Sequence, residues 1–187
     1  MSVNQNTKTN IGINIFSSSA SKSIVWILSF AVITAVGAQI SVPVKPVPFT
    51  LQTMMVVLAG AFLGSKNGAY SQLVYLTMGA IGLPVFAPDG VMGFARLLGP
   101  TGGYLLAFPL AAYITGYFIE KNKSYINVVF SMFVGNVLIL LIGAVYLDAI
   151  FIHNISESLK IGAVIFSLWT VLKVLAGASI YFGLRRN

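Results

Sequence analysis

Two basic residues lie within or beside long apolar segments and are the first candidates for ligand chemistry. Lys173 interrupts the run Trp169-Thr170-Val171-Leu172-Lys173-Val174, and Arg96 lies in the stretch VMGFARLLGPTGGY at 91–104. A cation among apolar residues costs free energy unless it finds a partner, and a planar guanidinium binds carboxylates well. The alternative is that both side chains extend to a polar interface. If they turn inward, we expect them to bind a small anion.

Neutral polar residues in other apolar segments add hydrogen-bonding capacity. Thr50, Gln52 and Asn136 carry hydrogen-bond donors and acceptors. The side-chain amides of Gln52 and Asn136 suit an uncharged polar group such as a urea or an amide ring. Hydrogen bonding between helices is the alternative role, above all for Asn136. Three aromatic residues near these groups in sequence could pack on a flat apolar body: Phe49, Tyr104 and Trp169. Together these residues predict a pocket for a small, mostly apolar anion.

The residues needed for most enzyme chemistry are missing from the sequence. It has no cysteine, and its one histidine, His153, has no second histidine to share a metal. The four carboxylates, Asp89, Glu120, Asp148 and Glu157, are spread over loops and helix ends and suggest no buried acid–base pair. No phosphate-binding loop of the Gly-x-x-x-x-Gly-Lys type occurs. We therefore expect no catalytic residues, no metal and no cofactor.

The amino-acid composition indicates that most of this chain is surrounded by lipid rather than water. Of 187 residues, 57% are hydrophobic and only 8% are charged, against roughly 45–50% and 25% in soluble domains. The net charge of +7 could suggest a nucleic-acid partner, but the positive charges are scattered between apolar runs. The sequence predicts an all-α integral membrane protein that does not bind nucleic acid.

Six apolar segments are long enough to be membrane-spanning candidates. Residues 1–23 form a polar tail, and residues 24–187 form the six-helix domain. The predicted spans are Ile24–Ile40, Phe49–Gly64, Gly68–Leu83, Thr101–Ile119, Tyr125–Leu147 and Phe166–Leu184. The second and third are short and contain glycine, which is typical of discontinuous or tilted helices near a binding site, with hydrophobic mismatch as the alternative.

Lysine and arginine positions predict the orientation of these spans. One side of the membrane receives Lys8, Lys22, Lys66, Lys121, Lys123, Arg185 and Arg186, whereas the other receives Lys45, Arg96 and Lys160. By the positive-inside rule, both termini are cytoplasmic. The turns on the inner side, at Ser65–Asn67 and Glu120–Ser124, are short. The outer loops at 41–48, 84–100 and 148–165 are longer, and we expect them to build and cover the pocket.

The first span carries two further possibilities. Lys22 before an apolar run that ends in Val36-Gly37-Ala38 could belong to a secretory signal, but a retained helix is the simpler interpretation because five more apolar segments follow. Ala31 and Ala35 form a small-x-x-x-small pair, as do Gly60 and Gly64, and such pairs let helices approach closely. Internal packing is the usual role of these pairs, and an external partner is the alternative for the first helix.

Three longer motifs carry a family resemblance. PVPFTLQT (46–53), YLTMGAIGLPVFA (75–87) and LGPTGGYLLAF (98–108) resemble the BioY family, the substrate-binding S components of energy-coupling-factor (ECF) biotin transporters. The resemblance covers about residues 24–184. It implies a six-helix membrane protein with the S-component fold that captures biotin from outside. It also implies two kinds of partner, a transmembrane coupling protein and two ABC ATPase subunits, in the cell membrane.

The resemblance also implies roles for individual residues. Ala31 and Ala35 match the family's surface for the coupling protein, and Phe49 and Gln52 belong to its pocket segment. Gly99–Tyr104 shapes the site beside Arg96. The family's Gly-Asp-x-x-Lys pattern keeps its lysine here as Lys173 but has Thr170 in place of the aspartate, so Asn136, Gln52 or Thr170 takes over the ureido group.

The expected ligand geometry follows from these assignments. Aromatic and aliphatic side chains enclose the rings of biotin, amides bind its ureido group, and Lys173 or Arg96 binds its carboxylate. Two alternatives remain: an S component for another small anionic vitamin, and an intramembrane enzyme or channel.

Overall fold

The structure, a computed structural model, describes residues 19–88 and 91–185. Most of the tail expected at 1–23 lies outside these residues, as do Lys8, Asp89 and Arg186. Helices dominate the described chain. In order, the elements are α1 (Ser19–Gln39), β1 (Ser41–Val42), β2 (Phe49–Thr50), α2 (Gln52–Ala80), α3 (Ala95–Leu98), α4 (Gly102–Leu106), α5 (Phe108–Lys121), α6 (Tyr125–Leu147), a π-helical turn (Asp148–Ile152), α7 (Ile155–Gly162), a 3-10 turn (Val164–Phe166) and α8 (Ser167–Arg185).

Helix α2 is a hairpin of two helical arms, 52–63 and 65–80, that reverses at a single glycine. Gly64 has φ 81° and ψ −179°, outside the helical region, and such a positive φ favours glycine. The arms lie side by side, because a Cβ on Gly68 would come within 2.8 Å of the Gly60 Cα. The second arm begins with a cap from a distant residue, since Glu120 accepts hydrogen bonds from the Ser65 N–H (2.7 Å) and hydroxyl (3.0 Å).

Four helical stretches of the described chain are long and apolar enough to cross a membrane: Ser21–Gln39, Gly102–Lys121, Tyr125–Ile152 and Ile155–Arg185. The six spans predicted from sequence include the two arms of α2 as well. Each arm is shorter than the ~20 residues of an ordinary span. The protein is thus a mostly helical membrane protein with several apolar helices.

The hairpin α2 lies at the centre of the fold and packs against α1 and α5. Close backbone contact depends on residues without bulk: a Cβ on Gly60 would lie 2.2 Å from the Ala112 carbonyl oxygen of α5. Ala31 of α1 is fully buried in the same core. At one end of the bundle, the antiparallel pair β1–β2 follows α1, with Ser41 opposite Thr50. This end carries the candidate site.

Candidate functional site

A small cavity lies at the end of the bundle where β2, the loop after α2 and the start of α8 meet. Its free volume is about 50 Å³. Its lining is mostly apolar and also includes basic and neutral polar side chains. The lining residues are Val47, Pro48, Thr50, Gln52, Thr53, Phe86, Ala87, Arg96, Thr101, Tyr104, Leu105, Phe108, Leu140, Phe166 and Lys173.

Lys173 points into the bundle and not toward a membrane surface. It belongs to the buried stripe of α8, whose members recur at helical spacing: Thr170, Lys173, Val174, Gly177, Ala178 and Tyr181. Its side chain is only 6% exposed. The ammonium donates to the Thr50 carbonyl oxygen (3.0 Å) and the Thr53 hydroxyl (2.7 Å). These contacts use two of its three hydrogens, so one donor remains for a ligand.

Arg96 lines the same cavity as Lys173. It belongs to the one-turn helix α3, which follows a turn at Gly93 (φ 71°) and begins with the Arg96 N–H donating to the Gly93 carbonyl (3.0 Å). The side chain is 6% exposed, as buried as that of Lys173. Two buried cations therefore face one cavity, and the resulting positive potential favours an anionic ligand.

Gln52 connects the cavity to the loop that covers it. Its amide nitrogen donates to the Tyr75 hydroxyl (2.5 Å), which donates to the Val85 carbonyl oxygen (3.2 Å). The same loop is held from α1, where the Gln39 amide donates to the Phe86 carbonyl oxygen (3.0 Å). The Gln39 amide also donates to the Pro84 carbonyl oxygen (3.5 Å). Three side-chain hydrogen bonds therefore hold the loop at 84–87, and one of them comes from Tyr75, which accepts from the cavity-lining Gln52.

Aromatic rings form the apolar wall. Phe166 stacks obliquely on Phe49, with ring centroids 4.4 Å apart, and Phe108 lies near Tyr75 with centroids 6.3 Å apart. The Tyr104 hydroxyl donates to the Gly162 carbonyl oxygen (2.8 Å). Such rings offer flat apolar surfaces to a ring-shaped ligand.

The glycines of the LGPTGGY motif position Tyr104. A Cβ on Gly102 would lie 2.0 Å from the Leu97 carbonyl oxygen, and one on Gly103 would lie 2.2 Å from the Cβ of Tyr146. Only glycine allows α4 to approach both neighbours this closely. The motif therefore packs the start of α4 against α3 and α6, and this packing directs Tyr104 into the site.

The structure brings together only part of the predicted site. Gln52, Arg96, Tyr104 and Lys173 line the cavity, and Phe49 packs behind Phe166. The remaining three predicted residues, Asn136, Trp169 and Thr170, are not among the lining side chains.

Each of these three has another environment. The amide of Asn136 donates to the Met132 carbonyl oxygen of its own helix (3.0 Å). Thr170 is buried, and Trp169 is 36% exposed at the edge of the α8 stripe. The lining residues with neutral amide or hydroxyl groups, apart from Tyr104, are Thr50, Gln52, Thr53 and Thr101.

Several lining residues were not predicted as part of the site. Phe86 lies inside a motif used for the resemblance, YLTMGAIGLPVFA, but received no role. Thr53 directly follows Gln52 in sequence, so its proximity was the available signal. Phe108, Leu140 and Phe166 give no signal in sequence, because apolar residues fill the spans throughout.

The two alanines predicted as a partner surface have different environments. Ala31 is fully buried within the bundle, whereas Ala35 is half-buried at its edge. The exposed side of α1 carries larger apolar residues, among them Trp26, Val32 and Val36. The small size of Ala31 serves packing on α2.

Within residues 19–88 and 91–185, no group of three or more His, Cys, Asp or Glu side chains is close enough to hold a metal ion. The lining residues of the cavity can bind a ligand through two cations, an amide and hydroxyls for its polar groups, and aromatic rings for an apolar body.

Comparison with known proteins adds independent evidence. Residues 6–187 match the BioY family. A protein of Thermotoga maritima named biotin transporter BioY is 38% identical over 157 residues, which are 84% of this chain and 92% of that protein. A probable biotin transporter BioY of Lysinibacillus sphaericus is 52% identical over 102 residues, and the matched part spans about half of each chain (54% of this one and 51% of the other).

A solved structure has the same fold. It is the 2.1 Å crystal structure of the S-component for biotin from an ECF-type ABC transporter, and it superposes with a TM-score of 0.83 at 25% identity. The match covers 90% of this chain and 93% of that one. The family match extends over nearly the whole chain, and the fold agrees with it. The chain belongs to the BioY family.

Proposed function

We propose that this chain is the biotin-binding S component of an ECF-type ABC transporter and mediates biotin uptake. The observation that carries the proposal is the meeting of Lys173 and Arg96, both 6% exposed, at one cavity with an aromatic wall. The names of the Thermotoga relative and of the solved S-component support biotin as the ligand. The same relatives are transporters and not enzymes.

Biotin has a chemistry that matches the cavity. Its fused ureido–thiophane rings are flat and mostly apolar, and its valeryl chain ends in a carboxylate. The rings pack against Phe166, Phe108 and Tyr104, and Gln52 binds the ureido group. Lys173 or Arg96 pairs with the carboxylate. Burial of about 300 Å² of apolar ligand surface contributes on the order of 7 kcal/mol, so the polar groups mainly set orientation.

Binding requires the cavity to open. Its free volume of about 50 Å³ is smaller than a fused two-ring ligand with a side chain needs. The loop at 84–87 contributes Phe86 and Ala87 to the wall and is anchored by Gln39 and Tyr75. Outward movement of this loop admits the ligand, and its return encloses it.

The topology that goes with this function has six spans, including the two arms of α2, and cytoplasmic termini in the cell membrane. The cavity then opens to the outside. The six-helix domain runs from 24 to 187 after a polar tail. Transport requires a transmembrane coupling protein and two ABC ATPase subunits, with α1 and its Ala35 edge as the contact surface. Biotin is ligand and cargo, and no cofactor takes part.

Identification of the ligand retained through purification tests the proposal. The protein is purified in detergent from cells grown with biotin and other vitamins, denatured, and analysed by mass spectrometry. We expect biotin in a near-stoichiometric amount. Another anionic vitamin in its place overturns the substrate assignment. A protein that retains nothing and takes up no labelled biotin overturns the function itself.

A further inference from the structure

A second concave site lies at the opposite end of the bundle from the cavity. It is an open cleft of about 420 Å³ between the turn of the α2 hairpin, the end of α5 and the end of α8. Its residues are Ala61, Phe62, Leu63, Gly64, Gly116, Ile119, Glu120, Lys123, Tyr181, Leu184 and Arg185. None of them lines the cavity described above.

The positive charges in this cleft exceed the negative ones, which favours an anionic ligand. The Glu120 carboxylate is already engaged, because it caps Ser65 through both of its oxygens. Lys123 and Arg185 are exposed. Arg185 is oriented by the Tyr181 hydroxyl and lies over the same ring, 5.5 Å from its centroid. In the described chain, neither cation has a carboxylate within 4 Å.

The other wall of the cleft is apolar. Phe62 and Leu63 come from the first arm of α2, Ile119 from α5 and Leu184 from α8. The cations lie where apolar helices end, since α5 ends at Lys121 and α8 at Arg185. In a bilayer this is the level of the lipid headgroups, with the apolar wall next to the acyl chains.

We propose that this cleft binds one anionic phospholipid, with its phosphate between Lys123 and Arg185 and an acyl chain against Phe62, Leu63 and Leu184. A free phosphate ion gains nothing from the apolar wall, whereas a diacyl lipid uses both walls at once. The Glu120–Ser65 cap lies beside the headgroup, so a bound lipid also shields the hairpin turn. This site is independent of biotin binding.

Native mass spectrometry of the delipidated full chain in detergent tests the site. Dioleoylphosphatidylglycerol and dioleoylphosphatidylcholine are titrated onto the wild-type protein and onto the double variant K123Q/R185Q. The matched control is K45Q/K160Q, which removes two exposed cations from the other end of the bundle. Each surface cation contributes about fivefold to binding of an anionic lipid, so the first phosphatidylglycerol should bind roughly 25-fold more weakly to K123Q/R185Q.

The control variant should bind phosphatidylglycerol like the wild type, and the wild type should prefer it over phosphatidylcholine. Glycerol 3-phosphate, the headgroup chemistry without acyl chains, should not compete. Equal binding of the two lipids, or equal losses in both double variants, overturns the proposal. Competition by glycerol 3-phosphate at equal concentration would indicate a plain anion site and also overturns it. Thermal unfolding without lipid checks that all variants are folded.

Discussion

Replacement of Lys173 by methionine tests how the ligand's carboxylate is bound. Methionine keeps an unbranched apolar side chain, one heavy atom shorter than that of lysine, and removes the ammonium. A hydrogen bond to a charged group contributes about 1.5–3 kcal/mol, so biotin affinity should fall roughly 10- to 140-fold. Stability should change little, because the lost bonds to Thr50 and Thr53 are offset by relief of a buried, desolvated cation.

The assay is a double-mutant cycle in which the ligand is the second variable. Biotin and biotinamide, which carries a neutral amide in place of the carboxylate, are titrated calorimetrically onto wild type and K173M. If Lys173 binds the carboxylate, biotinamide binds the wild type weakly and both ligands bind K173M alike. The exposed Lys160→Met variant controls for loss of charge and should behave as wild type.

Two results would show that Lys173 does not bind the ligand's carboxylate. Unchanged biotin affinity in K173M removes Lys173 from the site. Independent losses, in which K173M still distinguishes the two ligands as well as the wild type does, show that Lys173 acts only on protein structure. The same cycle with Arg96→Gln then assigns the carboxylate to Arg96 if coupling appears there.

Three further predictions concern residues that hold the binding site in place and the proposed contact with the coupling protein. Gly143→Ala should lower the free energy of unfolding by about 1–3 kcal/mol and weaken biotin binding, because the new Cβ would lie 2.2 Å from the Tyr104 ring and displace it. Gln39→Ala should speed biotin dissociation about fivefold in stopped-flow measurements, since it removes one neutral hydrogen bond that holds the Phe86 loop. Ala35→Leu should reduce co-purification with the coupling protein and leave biotin affinity unchanged.

Each of these has a matched control. Gly183→Ala should not lower stability, because nothing lies within 4 Å of its added Cβ and alanine favours the helix more than glycine does. Thr77→Ala removes an exposed hydrogen bond within α2 and should leave dissociation unchanged. Leu141→Ala alters an exposed apolar position on α6, away from α1, and should spare assembly. A wild-type dissociation rate in Q39A, or normal assembly of A35L, contradicts the corresponding assignment.

Several helix limits follow directly from the sequence. The predicted fifth span, Tyr125–Leu147, has the bounds of α6, and the predicted sixth span, Phe166–Leu184, differs from α8 by one residue at each end. Local signals explain this agreement: the Ser124 side chain accepts from the Asn127 N–H and caps α6. Long apolar runs with local caps are the most predictable elements of this fold.

The hairpin turn required information from elsewhere in the chain. A turn was expected around Ser65-Lys66-Asn67, but these residues already belong to the second arm and the chain reverses at Gly64 alone. The cap that permits so tight a turn is Glu120, which is 55 positions away. Local sequence patterns do not reveal such a tertiary contact.

The last predicted outer loop contains a helix that sequence reasoning missed. Residues 148–165 were expected to be irregular, whereas α7 occupies Ile155–Gly162. Its start signal was present, because Asn154 is followed three residues later by Glu157, and the Asn154 side chain accepts from the Glu157 N–H (3.2 Å). His153, with φ 55°, breaks the preceding turn.

The rotation of each helix about its own axis decides which of the predicted site residues line the cavity. In helices that are apolar on every face, the sequence does not fix which side faces the core. Lys173 and Thr170 belong to the buried stripe of α8, yet only Lys173 reaches the cavity, and Trp169 lies at the stripe's edge. Asn136 bonds its own helix. The motif residues Gln52 and Tyr104 line the cavity, because both lie at the start of helices that follow the loops at this end of the bundle.

The most direct test of the central claim is a calorimetric titration of the purified, ligand-free full chain with biotin. We expect saturable binding of one biotin per chain with a dissociation constant below roughly 1 µM, and weaker binding of biotinamide. A folded protein that releases no heat and retains no labelled biotin, or that binds biotinamide as tightly as biotin, would contradict the claim that buried cations hold a vitamin carboxylate in this cavity.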